Sequence, residues 1–339
     1  MAPAPVDLRS DTVTRPTRAM RRAMAEAEVG DDQYGEDPTV RALEEAYAGR
    51  VGKPAALYVP SGTMANQLAL RVLARRGGLV VAGRRSHVVA HEHGAAAALA
   101  GVQLHPVDDV AGPLDLAGVG WALAAAEHHW PEVELVCVEN TNMPAGGVPW
   151  SLEELAGLRE VIGELPVHMD GARLFNAEVA TGTSAAAYAA AATTVMSCLS
   201  KGLGAPVGSV LAGPEEVIAE ARVERSRLGG AMRQAGVIAA AGFVALKTMV
   251  ERLAEDHLRA RRLAEVVAER WPESGCEPDR VRTNIVVFTH GNPAALLEHL
   301  RTEGVLAGTI APGVVRLVTH LDVDDAGIET ACGAIAGAP

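Results

Sequence analysis

Short apolar runs alternate with longer stretches of helical periodicity along most of the chain. ALYV (Ala56 to Val59) precedes SGTMANQLALRVLARR, and LVVA (Leu79 to Ala82) precedes the alanine-rich HVVAHEHGAAAALAG. VQLHPV starts at Val102 and is followed by a helical pattern ending near Trp130. LVCVE (Leu135 to Glu139) leads through NTNMPAGG to SLEELAGLREVIG. VHMD (Val167 to Asp170) stops at GARLF, and TTVMSCLS (Thr193 to Ser200) runs into KGLGAPVG. VGSVLAG then opens a helical block that reaches about Arg270. This rhythm predicts an α/β fold with a mainly parallel central sheet flanked by helices.

Two helix starts are signposted. Asp37 stands before Pro38, an N-cap residue ahead of proline at the first helical position. Ser151 and Glu154 have the spacing of a capping box. After a long helix from about Gln234, WPESGCEPDR is a turn-rich break. NIVVF, a helix from Pro293, VVRLVTH and a last helix follow it. The pattern predicts an N-terminal arm over 1–15, a large α/β domain over 16–250 and a smaller α+β domain over 251–339.

Composition narrows the function classes. The 339 residues are 49% hydrophobic and 21% charged, enough to bury a substantial core. The net charge of −12 and the absence of a lysine/arginine-rich run argue against nucleic acid. Aromatics, at 3%, are too few for a base-stacking platform. Cys137, Cys198, Cys276 and Cys332 lie far apart, without CxxC or zinc spacing, so no metal site is expected. Cys137 and Cys198 fall in apolar runs and read as inert core thiols. MAPAPVDLRSDTV is not a signal peptide and no stretch is long and apolar enough to span a bilayer. A cytoplasmic enzyme or binding protein is the expectation.

Candidate chemistry begins with SCLSKGLGAPVG (Ser197 to Gly208), where Lys201 is the one charge among uncharged neighbours. Gly202, Gly204 and Gly208 have GxGxxxG spacing and lead into a strand, which excludes a dinucleotide fingerprint. GxxxxGK[ST] is absent too, so Lys201 is either a surface turn residue or an amine held between buried strands. Ser61, Gly62 and Thr63 open a helix after a strand, as a phosphate cup or a plain N-cap. Asp170 ends an apolar strand, where α/β sheets place ligands, although an Asp170–Arg173 ion pair capping a turn is an equal alternative. Period-two alternation puts His168 on the face of Asp170. Together, cup, strand-end carboxylate and lysine are what pyridoxal 5'-phosphate requires: a grip on phosphate, a partner for the ring nitrogen, and a Schiff-base amine.

VDLRSDTVTRPT, GDDQYGEDPTV, VPSGTMANQLA, HMDGARLFNA, SCLSKGLGAPVGS, LGGAMRQAG and VRLVTH occur in this order through most of the chain. In these segments it resembles the low-specificity L-threonine aldolases, β-eliminating lyases of pyridoxal-phosphate fold-type I. The resemblance implies retro-aldol cleavage of L-threonine, L-allo-threonine and related β-hydroxy-α-amino acids to glycine and an aldehyde. It makes Lys201 the Schiff-base lysine, Ser61, Gly62 and Thr63 the phosphate cup, and Asp170 the ring-nitrogen partner. His87 is implied to lie against the cofactor and to serve as base, directly or through water. Ser10, Arg173 and Arg316 are implied to hold the substrate carboxylate. Tyr34 and the loop from Gly229 to Arg233 are implied to reach a neighbouring subunit's site, in a dimer or a dimer of dimers.

Other readings stay open for single residues. His87 could be a helix cap and Arg316 an outward strand charge, and His91 and His93 read as surface residues. Two departures matter. Asn142 stands where the family commonly has a histidine near the β-hydroxyl, and asparagine can hydrogen-bond there without acting as a base. Ser226 replaces a common lysine between Arg225 and Arg227. The alternatives to aldol cleavage are β-elimination, racemisation or transamination on the same scaffold, then a nicotinamide oxidoreductase, then a non-catalytic protein.

Overall fold

The computed structural model describes residues 5–126 and 129–338. The first four residues of the expected arm, residues 127–128 near the expected helix end at Trp130, and residue 339 lie outside that range. The strands are β1 (Val6–Asp7), β2 (Ala55–Val59), β3 (Leu79–Gly83), β4 (Gln103–Val107), β5 (Val133–Glu139) and β6 (Val167–Asp170). They continue with β7 (Thr194–Cys198), β8 (Ser209–Gly213), β9 (Ile285–Thr289), β10 (Val305–Leu306), β11 (Gly308–Ala311) and β12 (Val314–Val318). Seven of them form one sheet in the order β2-β8-β7-β6-β5-β3-β4.

Only β8 runs against the rest of that sheet. Strands β3, β6, β7 and β8 are buried at every position, which follows from the helices on both faces, although β6, β7 and β8 carry the buried polar residues His168, Asp170, Thr194, Ser197 and Ser209. Because the other six strands are parallel, their carboxyl ends share one edge. The turns after β2, β3, β5, β6 and β7 therefore open onto the same crevice, the usual ligand position in such sheets.

Helix signals in the sequence act as expected where they are local. Asp37 accepts from the N–H groups of Thr39 and Val40 and starts the helix Pro38–Val51. Ser151 and Glu154 close a reciprocal capping box on the helix Leu152–Ile162. Three expected helices are shorter or broken. The one expected to end near Trp130 spans Leu116–Ala125. The block after Gln234 is two helices, Gly236–Thr248 and Leu253–Arg270, and Met249 and Val250 are buried where the chain turns between them. HVVAHEHGAAAALAG is not one helix: His87–Ala90 is a single turn, and a π-type turn follows only at Ala96–Ala100. Glu92 is drawn inward between the two by side chains of another helix, which ends the first turn.

A second apolar core gathers Ala260, Leu263, Val267, Phe288, Leu317 and Ile328 over the antiparallel sheet β11-β12-β9. Leu253 belongs to the first core and Ala260 to Val267 to the second, so the helix Leu253–Arg270 runs from one to the other. The segment expected to be an arm is tied to both parts. β1 pairs in parallel with β10 and Leu8 is buried in the second core. Thr14 donates its hydroxyl to the Lys201 carbonyl at 3.1 Å.

Candidate active site

At the end of β2, Ser61 adopts extended backbone and its hydroxyl accepts from the Met64 N–H at 3.2 Å, capping the helix Gly62–Leu73. The N–H groups of Gly62 and Thr63, one turn too early for intrahelical partners, face the crevice. A side chain at Gly62 is excluded: its Cβ would lie 2.9 Å from both Cys198 Sγ and Met196 Cε. Glycine thus lets the helix start press against β7, and the dipole end meets a cavity of about 260 Å³ lined by Ser61, Gly62, Thr63, Asp170 and Lys201.

Asp170 closes β6 on the floor of this cavity. Its Oδ1 accepts from the Ala172 N–H at 3.0 Å and its Oδ2 from Asn66 Nδ2 at 2.8 Å. Burial alone would raise its pKa, but His87, Lys201 and the Asn66 hydrogen bond together hold it below the ordinary aspartate value. His168, two residues earlier on the same face, is fully buried between Thr194 Oγ1 (2.9 Å) and Asn66 Oδ1 (3.0 Å). Burial lowers its pKa to about 4 against the pull of Asp170, so it stays neutral and orients Asn66.

Lys201 follows β7 on a tight turn. Its carbonyl accepts from the Gly204 N–H at 2.8 Å, and Gly204 sits at φ 77°, a left-handed conformation suited to glycine. Leu203 and Ala205 are buried under the turn, so Lys201 is a side chain of the crevice, not of an exposed loop. It lines both the smaller cavity and an adjoining one of about 370 Å³, along with Thr12, His87, Asp170 and Ala172.

His87 follows β3. Its ring Nδ1 meets Glu92 Oε1 at 2.7 Å and its backbone N–H donates to Glu139 Oε2 at 2.7 Å. Burial lowers its pKa, yet Glu92 and Asp170 outweigh that and the net shift is upward. His91 stands on the rim of the larger cavity with its ring 5.8 Å from that of His87, so it is exposed but also a wall residue; His93 is exposed.

Ser10, Arg173 and Arg316 all line the larger cavity. Arg173 is not the ion-pair partner of Asp170. It meets the buried Asp11 through Nε (2.7 Å) and Nη2 (2.6 Å), leaving Nη1 for the cavity. Arg316 lies on β12 between the inward Val315 and Leu317, on the opposite face, and is not an outward strand charge. Its Nη2 donates to the Arg9 carbonyl at 2.8 Å, while its buried Nε has no partner. Burial, and next the Arg173 charge, lower its pKa.

Asn142 does not line either cavity. Its Oδ1 accepts from the Ala145 N–H at 3.0 Å and its Nδ2 donates to Asp109 Oδ2 at 3.3 Å, so its side chain is used in holding the NTNMPAGG turn. The substrate contact expected of it is corrected accordingly. Tyr34, 77% exposed, and Arg233, whose Nη1 donates to Gln33 Oε1 at 2.7 Å, also lie away from this chain's crevice. The wall contains residues not foreseen: Glu139 at the end of β5 and Thr141 on the turn after it, with Asn66 and Glu92 behind. Glu139 pairs in register with Asp170, so the strand-end rule that selects Asp170 also selects it.

The family model described as beta-eliminating lyase matches residues 7–290. The chain belongs to the beta-eliminating lyase family. Over 323 residues it is 43% identical to the low specificity L-threonine aldolase of Escherichia coli strain K12, covering 94% of each chain. Over 266 residues it is 45% identical to low-specificity L-threonine aldolase 1 of Arabidopsis thaliana, covering 77% of this chain and 74% of that one. Among solved structures, the threonine aldolase of Leishmania major superposes with a TM-score of 0.84 at 20% identity, covering 98% of both chains. A serine palmitoyltransferase of Sphingomonas wittichii superposes at 0.78 and 17% identity, over 97% of this chain and 86% of that one. The fold is that of the fold-type I pyridoxal-phosphate enzymes. Every crevice residue of this beta-eliminating lyase from Ser10 to Lys201 lies within the matched stretch, while Arg316 lies beyond it.

Proposed function

We propose that this chain is a pyridoxal-phosphate-dependent aldehyde lyase that cleaves L-threonine, L-allo-threonine and related β-hydroxy-α-amino acids to glycine and an aldehyde. One observation carries the reading: Lys201, Asp170 and a helix N-terminus surround one cavity, and two arginines with Ser10 line the cavity beside it. The residues fit the cofactor. Gly62 lets the helix start press against β7 beside Lys201 and Asp170, and Arg173 and Arg316 bring positive charge to the adjoining cavity. When bound, the cofactor supplies an electron-withdrawing ring that stabilises negative charge developing at the substrate Cα.

The protein's own groups do the rest. Lys201 would hold the cofactor, its Nζ being the amine at the cavity that both cofactor and substrate would meet. Ser61, Gly62 and Thr63 would hold the phosphate, and Asp170, ionised and steadied by Asn66, would favour a proton on the ring nitrogen. Arg316, Arg173 and Ser10 grip the substrate carboxylate, which fixes the Cα–Cβ bond in the orientation that breaks. His87 offers its ring at the junction of the cavities, with Nδ1 tied to Glu92 and its proton retained by nearby carboxylates. The active unit is a homo-oligomer, a dimer or a dimer of dimers, in which Tyr34 and Arg233 complete a neighbour's site. Their exposure and distance from their own crevice support that arrangement.

The test is the variant Lys201→Ala. It should lose both the visible absorbance of a lysine-bound cofactor and threonine cleavage, and an unchanged spectrum would sink the assignment. In the unmodified enzyme, threonine should give glycine and acetaldehyde. Ammonia and a keto acid would indicate β-elimination instead.

A further inference from the structure

We propose that Glu139 is the catalytic base that takes the proton of the substrate's β-hydroxyl. The proposal deepens the aldol-cleavage reading and rests on it.

Cleavage needs a proton acceptor within reach of the substrate's β-hydroxyl. Asn142 cannot supply one, because its amide is not a base and its side chain is engaged with Asp109 and Ala145. His87 is held by Glu92 through Nδ1 and its surroundings favour the protonated ring, which suits a hydrogen-bond donor rather than an acceptor. Two carboxylates line the larger cavity, Asp170 and Glu139. Asp170 is assigned to the ring nitrogen, which leaves Glu139.

Glu139 is well placed for the task. As the last residue of β5 it sits beside Asp170 at the sheet edge. Its Oε1 accepts from the Met143 N–H at 2.9 Å and its Oε2 from the His87 N–H at 2.7 Å. Each oxygen keeps a lone pair for a further contact, and the two backbone donors fix the carboxyl plane. Two residues on, Thr141 lines the same cavity, and its buried Oγ1 has no hydrogen-bond partner.

The charges around Glu139 come from every neighbouring element: His87, His91 and Glu92 after β3, Asp170 and Arg173 at β6, Lys201 after β7, and Arg316 on β12. Burial and the Asp170 charge push its carboxyl up to about 7, against the Met143 and His87 N–H groups and the His87 charge. A carboxyl at that level exchanges protons readily at neutral pH. In the step itself the O–H proton moves to Glu139, the Cα–Cβ bond breaks and the aldehyde C=O forms. The bond's electron pair is left at Cα, where the electron-withdrawing ring would stabilise it, and a proton supplied from solvent adds there to give glycine. Glu139 then releases its proton to solvent after the aldehyde leaves.

The experiment compares the cofactor-loaded enzyme with Glu139→Gln and Glu139→Asp. Threonine cleavage by the glutamine variant should fall by about 10²- to 10⁴-fold, and the acid limb of its kcat/KM profile should vanish. Exchange of the glycine Cα proton with deuterated water involves no β-hydroxyl and should persist, with the cofactor absorbance unchanged. The aspartate variant should recover part of the cleavage. Infrared difference spectra of the unmodified enzyme should show a carboxyl C=O band that titrates near neutrality and is missing from Glu139→Gln. Retained cleavage with an unchanged acid limb, absence of that band, or loss of glycine exchange in step with cleavage would each overturn the proposal. If the unmodified enzyme binds cofactor on Lys201 but releases no glycine from threonine, the functional reading itself fails, a result separable from any effect of Glu139.

Discussion

Asn66 shows how one uncharged side chain sets the state of several charged ones. Its Nδ2 donates to both Asp170 Oδ2 and Glu92 Oε1, at 2.8 Å each, so its Oδ1 must accept, and His168 Nε2 is the donor. His168 Nδ1 then accepts from the Thr194 hydroxyl, which fixes the tautomer. Asn66→Ala leaves these buried groups short of partners, at about 1–3 kcal/mol for each unsatisfied group. The thermal midpoint should fall by roughly 3–10 °C. Asp170, left with the Ala172 N–H alone, should titrate higher and hold the cofactor less tightly, which a spectrophotometric titration would register. A variant as stable and as tight-binding as the original would refute this account. Lys201, Asp170 and Arg173 were legible in the sequence because each stands beside punctuation, a glycine turn or a strand end. Asn66 was not, since it is an ordinary interior position of an amphipathic helix and its partners lie up to 104 residues away.

At the scale of elements, the crevice depends on how closely the helix Gly62–Leu73 starts against the sheet. Gly62→Ala forces a Cβ toward Cys198 Sγ, which sits on a short side chain in a buried strand and cannot move aside. Overpacking of this kind costs about 1–3 kcal/mol. Part of that cost is met by tilting the helix start, which moves the Gly62 and Thr63 N–H groups. Cofactor affinity should therefore drop by roughly tenfold, a shift of about 1.4 kcal/mol, in an equilibrium titration. Unaltered affinity would show that these N–H groups do not bear on the phosphate. The strand and helix order followed from periodicity, and Asp37 and Ser151 announced their helices through local hydrogen bonds. The broken helix after His87 was not readable, because alanine has no strong preference for a face. What ends the turn is Glu92 reaching Asn66 and Gln67, a tertiary event. Glu139 was passed over for a related reason: LVCVE ends on it, but only the register that sets β5 beside β6 brings this strand end next to Asp170.

For the whole molecule, the same buried groups make stability depend on pH in opposing directions. His168 titrates at about 4 in the fold against 6.5 when exposed. Between those values the unfolded chain binds the extra proton, so this group makes stability rise with pH. Glu139 titrates at about 7 in the fold against 4.5 when exposed. There the folded chain holds the extra proton, so this group makes stability fall as pH rises from 4.5 toward 7. Over the shared window the two slopes oppose each other and the original protein shows little net effect from them. Glu139→Gln removes one side of the balance. In the cofactor-free protein the thermal midpoint of the variant should climb between pH 5 and pH 6.5 more steeply than that of the original. Parallel pH profiles for the two proteins would mean that Glu139 is ionised throughout this range, and its carboxyl would then lack the proton-exchanging character that the crevice gives it.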